Sequence, residues 1–103
     1  MKTYNKLVRD KIPEIIKAAG KNFDVHYAKK GEVLPLLETK LNEEVSEYIE
    51  AKNLEELADV MEVLFGLATA LGYSEEDLIN KRNEKKEERG GFEKGIVLEK
   101  VYE

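Results

Sequence analysis

Between Leu7 and Ala19 the apolar side chains fall at Leu7, Val8, Ile12, Ile15, Ile16 and Ala19. That spacing predicts a short helix around Pro13, which suits a first turn because the N–H it lacks would be unpaired there anyway, and Gly20 supplies a stop. Phe23-Asp24-Val25-His26-Tyr27-Ala28 alternates and is rich in β-formers, so it predicts a short strand. After Gly31 a longer helical pattern enters at Leu34-Pro35 and runs to Ala51. Ala51-Lys52-Asn53 leaves room only for a tight turn between antiparallel neighbours. A second long helix, Leu54 to Leu71, stops at Gly72. Ser74, with Asp77 three residues later, reads as a capping box that opens a further helix, Glu75 to Arg89, closed by Gly90-Gly91. Ile96 to Tyr102 reads as a terminal strand able to pair with Phe23–Ala28. The expected fold class is mainly α, an antiparallel helical bundle with a small two-stranded β addition.

Projected at about 100° per residue, Leu34, Leu36, Leu37, Leu41, Val45, Tyr48, Ile49 and Ala51 share one broad apolar arc. Glu44 falls inside it and Glu47 between Leu36 and Ala51, whereas Glu43 and Glu50 lie on the polar side. In the next helix, Leu54, Leu57, Ala58, Val60, Met61, Val63, Leu64, Phe65, Leu67, Ala68 and Leu71 cover roughly 220°. Glu56 sits within this arc, flanked by Val63 and Leu67, and Asp59 borders it. Carboxylates in an apolar arc are costly unless paired or bound to a cation. Glu44/Glu47 and Glu56/Asp59 are each an i,i+3 pair on one helical face, and both lie near the tight turn. Four carboxylates therefore converge, and without a cation they would repel one another and raise their own pKa values. Hard divalent ions take oxygen ligands, and Mg²⁺ commonly completes its shell with waters and substrate phosphates.

Composition narrows the alternatives. The 103 residues allow one domain, residues 1–103, and 42% hydrophobic with 38% charged residues describes a folded chain with a heavily ionised surface. Seventeen Lys+Arg against 22 Asp+Glu, a formal charge of −5, argue against a nucleic-acid partner held by net charge. The absence of Cys excludes disulfides, thiolate metal sites and a cysteine nucleophile, and the single His26 excludes a multi-histidine site and reads as structural. With no long apolar run and no apolar stretch following Met1, the expectation is a cytoplasmic protein without a membrane partner. Gly90-Gly91 lacks the rest of a phosphate-binding loop. Tyr4, Phe92 and Tyr102 read as core residues, with base stacking the alternative.

Lys40-Leu41-Asn42-Glu43-Glu44-Val45-Ser46-Glu47, followed by Glu55-Glu56-Leu57-Ala58-Asp59-Val60, resembles the Glu-x-x-Glu … Glu-x-x-Asp signature of the MazG-like all-α nucleotide pyrophosphohydrolases. The matching positions are Glu44, Glu47, Glu56 and Asp59, the same four that the helical projection selects. Tyr4-Asn5-Lys6-Leu7-Val8-Arg9-Asp10-Lys11-Ile12-Pro13 is similar to the opening of a phosphoribosyl-ATP pyrophosphohydrolase-like branch. The resemblance implies that Glu44, Glu47, Glu56 and Asp59 bind Mg²⁺ (or Mn²⁺) and are catalytic. It further implies cleavage between the α- and β-phosphates of a nucleotide, releasing a monophosphate and pyrophosphate, and packing into a homodimer or higher homo-oligomer. The broad apolar arc of Leu54–Leu71 also calls for a partner beyond one antiparallel helix. Lys81, Arg82, Lys85, Lys86 and Arg89, then Gly90-Gly91-Phe92, resemble the family's basic segment near substrate phosphates, and Lys81 and Arg89 are its candidate ligands. Lys40 and Arg9 are further candidate phosphate ligands, Arg9 with Asn5, Lys6 and Lys11 in an N-terminal patch. Interleaved Glu84, Glu87 and Glu88 equally suit a solvated, ion-paired face. The function expected is that of a Mg²⁺-dependent nucleoside triphosphate pyrophosphohydrolase, with house-cleaning of non-standard nucleotides one role open to it. The alternatives are phosphoribosyl-ATP hydrolysis in histidine biosynthesis and a catalytically silent helical interaction module.

Overall fold

A computed structural model describes residues 2–103 and contains four helices: α1 (Ile12–Ala18), α2 (Lys30–Ala51), α3 (Leu54–Ala70) and α4 (Glu75–Arg89). Pro13 lies in the first turn of α1, and Gly20 follows it at φ +77°. α2 begins at Lys30 rather than near Leu34, so Gly31 and Pro35 lie inside it. The Glu32 carboxylate accepts from the Lys29 N–H at 3.2 Å and holds the entry open to helix. Pro35, the sixth residue of α2, has no N–H to offer the Gly31 carbonyl, so one intrahelical bond is missing in the second turn.

The turn between α2 and α3 is built from local chemistry. Lys52 adopts the left-handed conformation (φ 52°, ψ 49°) and donates its N–H to the Tyr48 carbonyl at 2.7 Å. Asn53 then caps α3, its side-chain oxygen accepting from the Glu56 N–H at 2.9 Å. The chain reverses within this turn, and α2 packs along α3. Leu37, Val63 and Ala68 are the buried apolar residues among those described. Gly66 allows the closest approach, because a Cβ there would lie 3.1 Å from a Leu37 δ-methyl. α3 ends with Tyr73 N–H on the Ala68 carbonyl (2.8 Å) and Gly72 at φ +94°. Ser74 and Asp77 form the expected reciprocal cap, at 3.0 and 2.9 Å, and α4 leaves α3 at a bend of 110°.

Mainly α architecture is thus established. The expected strand pair is not formed: among the described residues Phe23–Ala28 and Ile96–Tyr102 are irregular chain. Val25, Tyr27, Ile96, Val97, Leu98, Val101 and Tyr102 are all exposed. β-propensity reflects fit to a half-buried pleated surface, and a two-stranded ribbon with nothing packed on it is marginal in water.

Only α2 with α3 and α3 with α4 touch among the helices. The radius of gyration is 18.0 Å, against about 13 Å for a compact domain of this length, and the long axis measures 62 Å. The hairpin buries one side of α3 and leaves Leu54, Leu57, Met61, Leu64 and Leu71 exposed along the other. No single helix is long and apolar enough to cross a membrane.

Candidate metal centre

Glu44, on the seam-facing side of α2, is the one buried charged residue among those described. Its Oε1 forms an ion pair with Lys40 Nζ at 3.3 Å, and its Oε2 is enclosed without a hydrogen-bond partner. Across the hairpin, Glu56 Oε2 is enclosed and unpartnered as well. Asp59, one turn further along α3, is half-buried, and its Oδ1 accepts from Arg9 Nη2 at 2.7 Å. Glu44, Glu56 and Asp59 each present an oxygen within 4.8 Å of the others, and Glu43, Glu44 and Glu47 form a second such group. Glu44 belongs to both, so the four carboxylates expected to converge do so through it.

Glu47 is solvent-exposed, at the rim of the cluster rather than within the apolar arc. Its carboxyl is pushed up, first by a hydrogen bond shared with Glu44 and then by the Glu44 charge. Glu56 is also pushed up, chiefly by loss of solvation, then by the charges of Asp59 and Glu44. Glu43 corrects the helical projection, which set it apart on the polar side. It is half-buried beside Glu44 and Glu47 and accepts from Lys6 Nζ at 2.7 Å and Lys40 Nζ at 3.5 Å. The Lys6 hydrogen bond holds the Glu43 carboxyl down and raises the Lys6 ammonium in turn. Both Glu43 oxygens are therefore engaged by cations, whereas Glu44 and Glu56 each keep a free buried oxygen. Glu50 is exposed as expected.

Of the basic candidates, Lys40 and Arg9 reach the cluster. Lys6 reaches it too, although it ranked below Arg9 on sequence. The i,i+3 spacing of Lys40 and Glu43 was the available signal for Glu43, while Lys6 comes from 37 positions away and left no local trace. Lys81 pairs with Glu84 at 3.2 Å within α4, and Arg89 is exposed in the last turn. Among the described residues neither makes an ion pair with the cluster, because α4 swings away from α3 and does not touch α2. His26 is exposed on the irregular segment before α2, and Tyr4, Phe92 and Tyr102 are exposed rather than core. The Tyr4 ring lies 5.6 Å from Lys6 Nζ.

The donor set fits a hard divalent cation. It is all oxygen, it carries two buried oxygens with no partner, and a hydrogen bond to Glu44 at Glu47, loss of solvation at Glu56 and then neighbouring carboxylates push both carboxyls upward. Oxygens bound to one Mg²⁺ at about 2.1 Å stand at most about 4.2 Å apart, so a group within 4.8 Å closes on an ion by small side-chain rotations. Comparison of the chain with protein-family models, curated proteins and solved structures finds no match.

Proposed function

We propose that this protein is a Mg²⁺-dependent nucleoside triphosphate pyrophosphohydrolase of MazG-like type, cleaving the α–β phosphate linkage to give a monophosphate and pyrophosphate. The observation that carries this reading is that Glu44 and Glu56, each with an enclosed, unpartnered oxygen, join Asp59 in a group whose members each bring an oxygen within 4.8 Å of the others. In it, Glu44, Glu56 and Asp59 hold the ion. The ion, when bound, supplies activation of water and neutralises charge on the phosphates. Glu47, exposed at the rim with its proton affinity raised by Glu44, is the carboxylate suited to take a proton from the attacking water. Lys40 and Arg9 supply the positive charge for phosphate oxygens. The substrate class is a nucleoside triphosphate, and the compartment is the cytoplasm.

A homodimer belongs to the same reading. The exposed stripe Leu54, Leu57, Met61 and Leu64 repeats at three- and four-residue intervals, with Leu71 a further seven residues on, the pattern of a helix that buries a face against another helix. Two hairpins packed through α3 complete a four-helix core.

The test is a screen of NTPs, dNTPs, modified nucleotides and phosphoribosyl-ATP with Mg²⁺ or Mn²⁺, detecting pyrophosphate. Pyrophosphate release that EDTA abolishes is expected. Orthophosphate as the sole primary product, without added pyrophosphatase, overturns the reading, and strong preference for phosphoribosyl-ATP shifts it to that branch.

A further inference from the structure

The segment before α1 lies across the α2–α3 hairpin and is fastened to both helices. Lys6 Nζ donates to Glu43 of α2, and Arg9 Nη2 donates to Asp59 of α3, each at 2.7 Å. Between them Leu7 is half-buried, and Asn5, Lys6 and Leu7 border a small cavity of about 30 Å³ against Leu36 and Thr39 of α2. α1 itself packs on no other helix, so these contacts are what hold the N-terminal segment to the hairpin.

The two ion pairs differ in what they cover. Lys6 sits on Glu43, which Lys40 also engages and which has no free oxygen to offer. Arg9 sits on Asp59, whose cluster partners Glu44 and Glu56 each hold an enclosed, unpartnered oxygen. Arg9 holds one of the two Asp59 oxygens, so a divalent ion entering that group meets the like charge of the guanidinium at Asp59. Arg9 is half-exposed, so it can swing away while Lys6 keeps the segment tethered.

We propose that Arg9 is a positioning cation that changes partner. Without metal it neutralises Asp59. A divalent ion on Glu44, Glu56 and Asp59 displaces it, and the released guanidinium, held nearby by Lys6–Glu43, engages phosphate oxygens of the nucleotide in bidentate fashion. Metal loading therefore creates the phosphate contact, and the two ligands bind with positive coupling that is reciprocal by linkage. The inference rests on the metal-centre reading above and adds an order of events to it.

The experiment is a calorimetric titration of the full chain with Mn²⁺ alone, then with a non-hydrolysable nucleoside triphosphate analogue at saturating Mn²⁺. It uses wild type, Arg9→Ala and Arg9→Lys. Removing the competing guanidinium should tighten Mn²⁺ binding in Arg9→Ala by about two- to fivefold, the scale of a partly exposed ion pair. Analogue affinity should fall about tenfold or more in the same variant, for loss of a charged bidentate contact. Arg9→Lys keeps the charge and should hold Mn²⁺ affinity near wild type, yet bind the analogue more weakly, since an ammonium cannot reproduce the fork. A merely structural Arg9 would not move the two affinities in opposite directions. Mn²⁺ binding in Arg9→Ala that is unchanged or weaker overturns the exchange while leaving the metal centre standing. Absence of Mn²⁺ binding in wild type overturns both readings.

Discussion

At the scale of single residues, the centre is defined by which carboxylates lack a partner. Glu44→Gln and Glu56→Gln each remove a charge held away from water beside other carboxylates. Mn²⁺ affinity in titration should fall at least about tenfold, while the melting temperature in EDTA should hold or rise as repulsion and desolvation are relieved. Glu50→Ala should change neither. Glu43→Ala is different: it strands Lys6 and leaves Lys40 only its pair with Glu44, and should lower the EDTA melting temperature without removing the metal site. The pH dependence follows in sign from Glu47 and Glu56, whose carboxyls are raised above their ordinary value. The folded, metal-free protein then binds more protons than the unfolded chain between the ordinary and raised values. Stability in EDTA should therefore decline as pH climbs through that window. The decline should be shallower in Glu47→Gln and Glu56→Gln, as thermal melts across the acidic to neutral range would show. A decline equally steep in both variants would assign it to other groups.

At the scale of elements, the α2–α3 hairpin carries the site, and its register is held by one close contact and one cap. Leu37→Ala should cost about 2–4 kcal/mol by emptying the seam, read from urea unfolding. Gly66→Val should be destabilising by about 1–3 kcal/mol, because its Cβ alone would stand 3.1 Å from a Leu37 δ-methyl, which must shift to admit the bulkier side chain. Asn53→Ala should cost about 1 kcal/mol through loss of the α3 cap. Several turns and stops were legible in the sequence because they are local. The tight turn at Ala51-Lys52-Asn53, Ser74 with Asp77, Pro13 in a first turn and Gly72 beyond α3 act within a few residues of themselves, whereas the Asn53 cap was seen only in the structure. Gly31 misled for the same reason: a glycine reads as a boundary, but Glu32, reaching back to the Lys29 N–H, carries the helix through it. The strand pair was illegible because alternation reports a suitable surface without reporting whether anything packs on it.

At the scale of the whole molecule, the single chain is extended, and much of its apolar surface is uncovered. If the α3 stripe joins two copies, light scattering at micromolar concentration should give twice the mass of 11.8 kDa. Met61→Glu combined with Leu64→Glu should halve that value while far-UV circular dichroism keeps the helical signal. A wild-type monomer under these conditions would refute the dimer. The helices, the antiparallel hairpin and the presence of Glu44, Glu56 and Asp59 on facing surfaces were determined by sequence alone, since periodicity and a three-residue turn suffice to place them. Only the tertiary structure decided the rest. It put Glu47 at the rim, drew Glu43 in, carried α4 with Lys81 and Arg89 away from the cluster, and brought Lys6 and Arg9 onto it across 37 and 50 positions of chain. Helical spacing acts over a few residues, whereas an ion pair between distant segments depends on where the whole backbone goes.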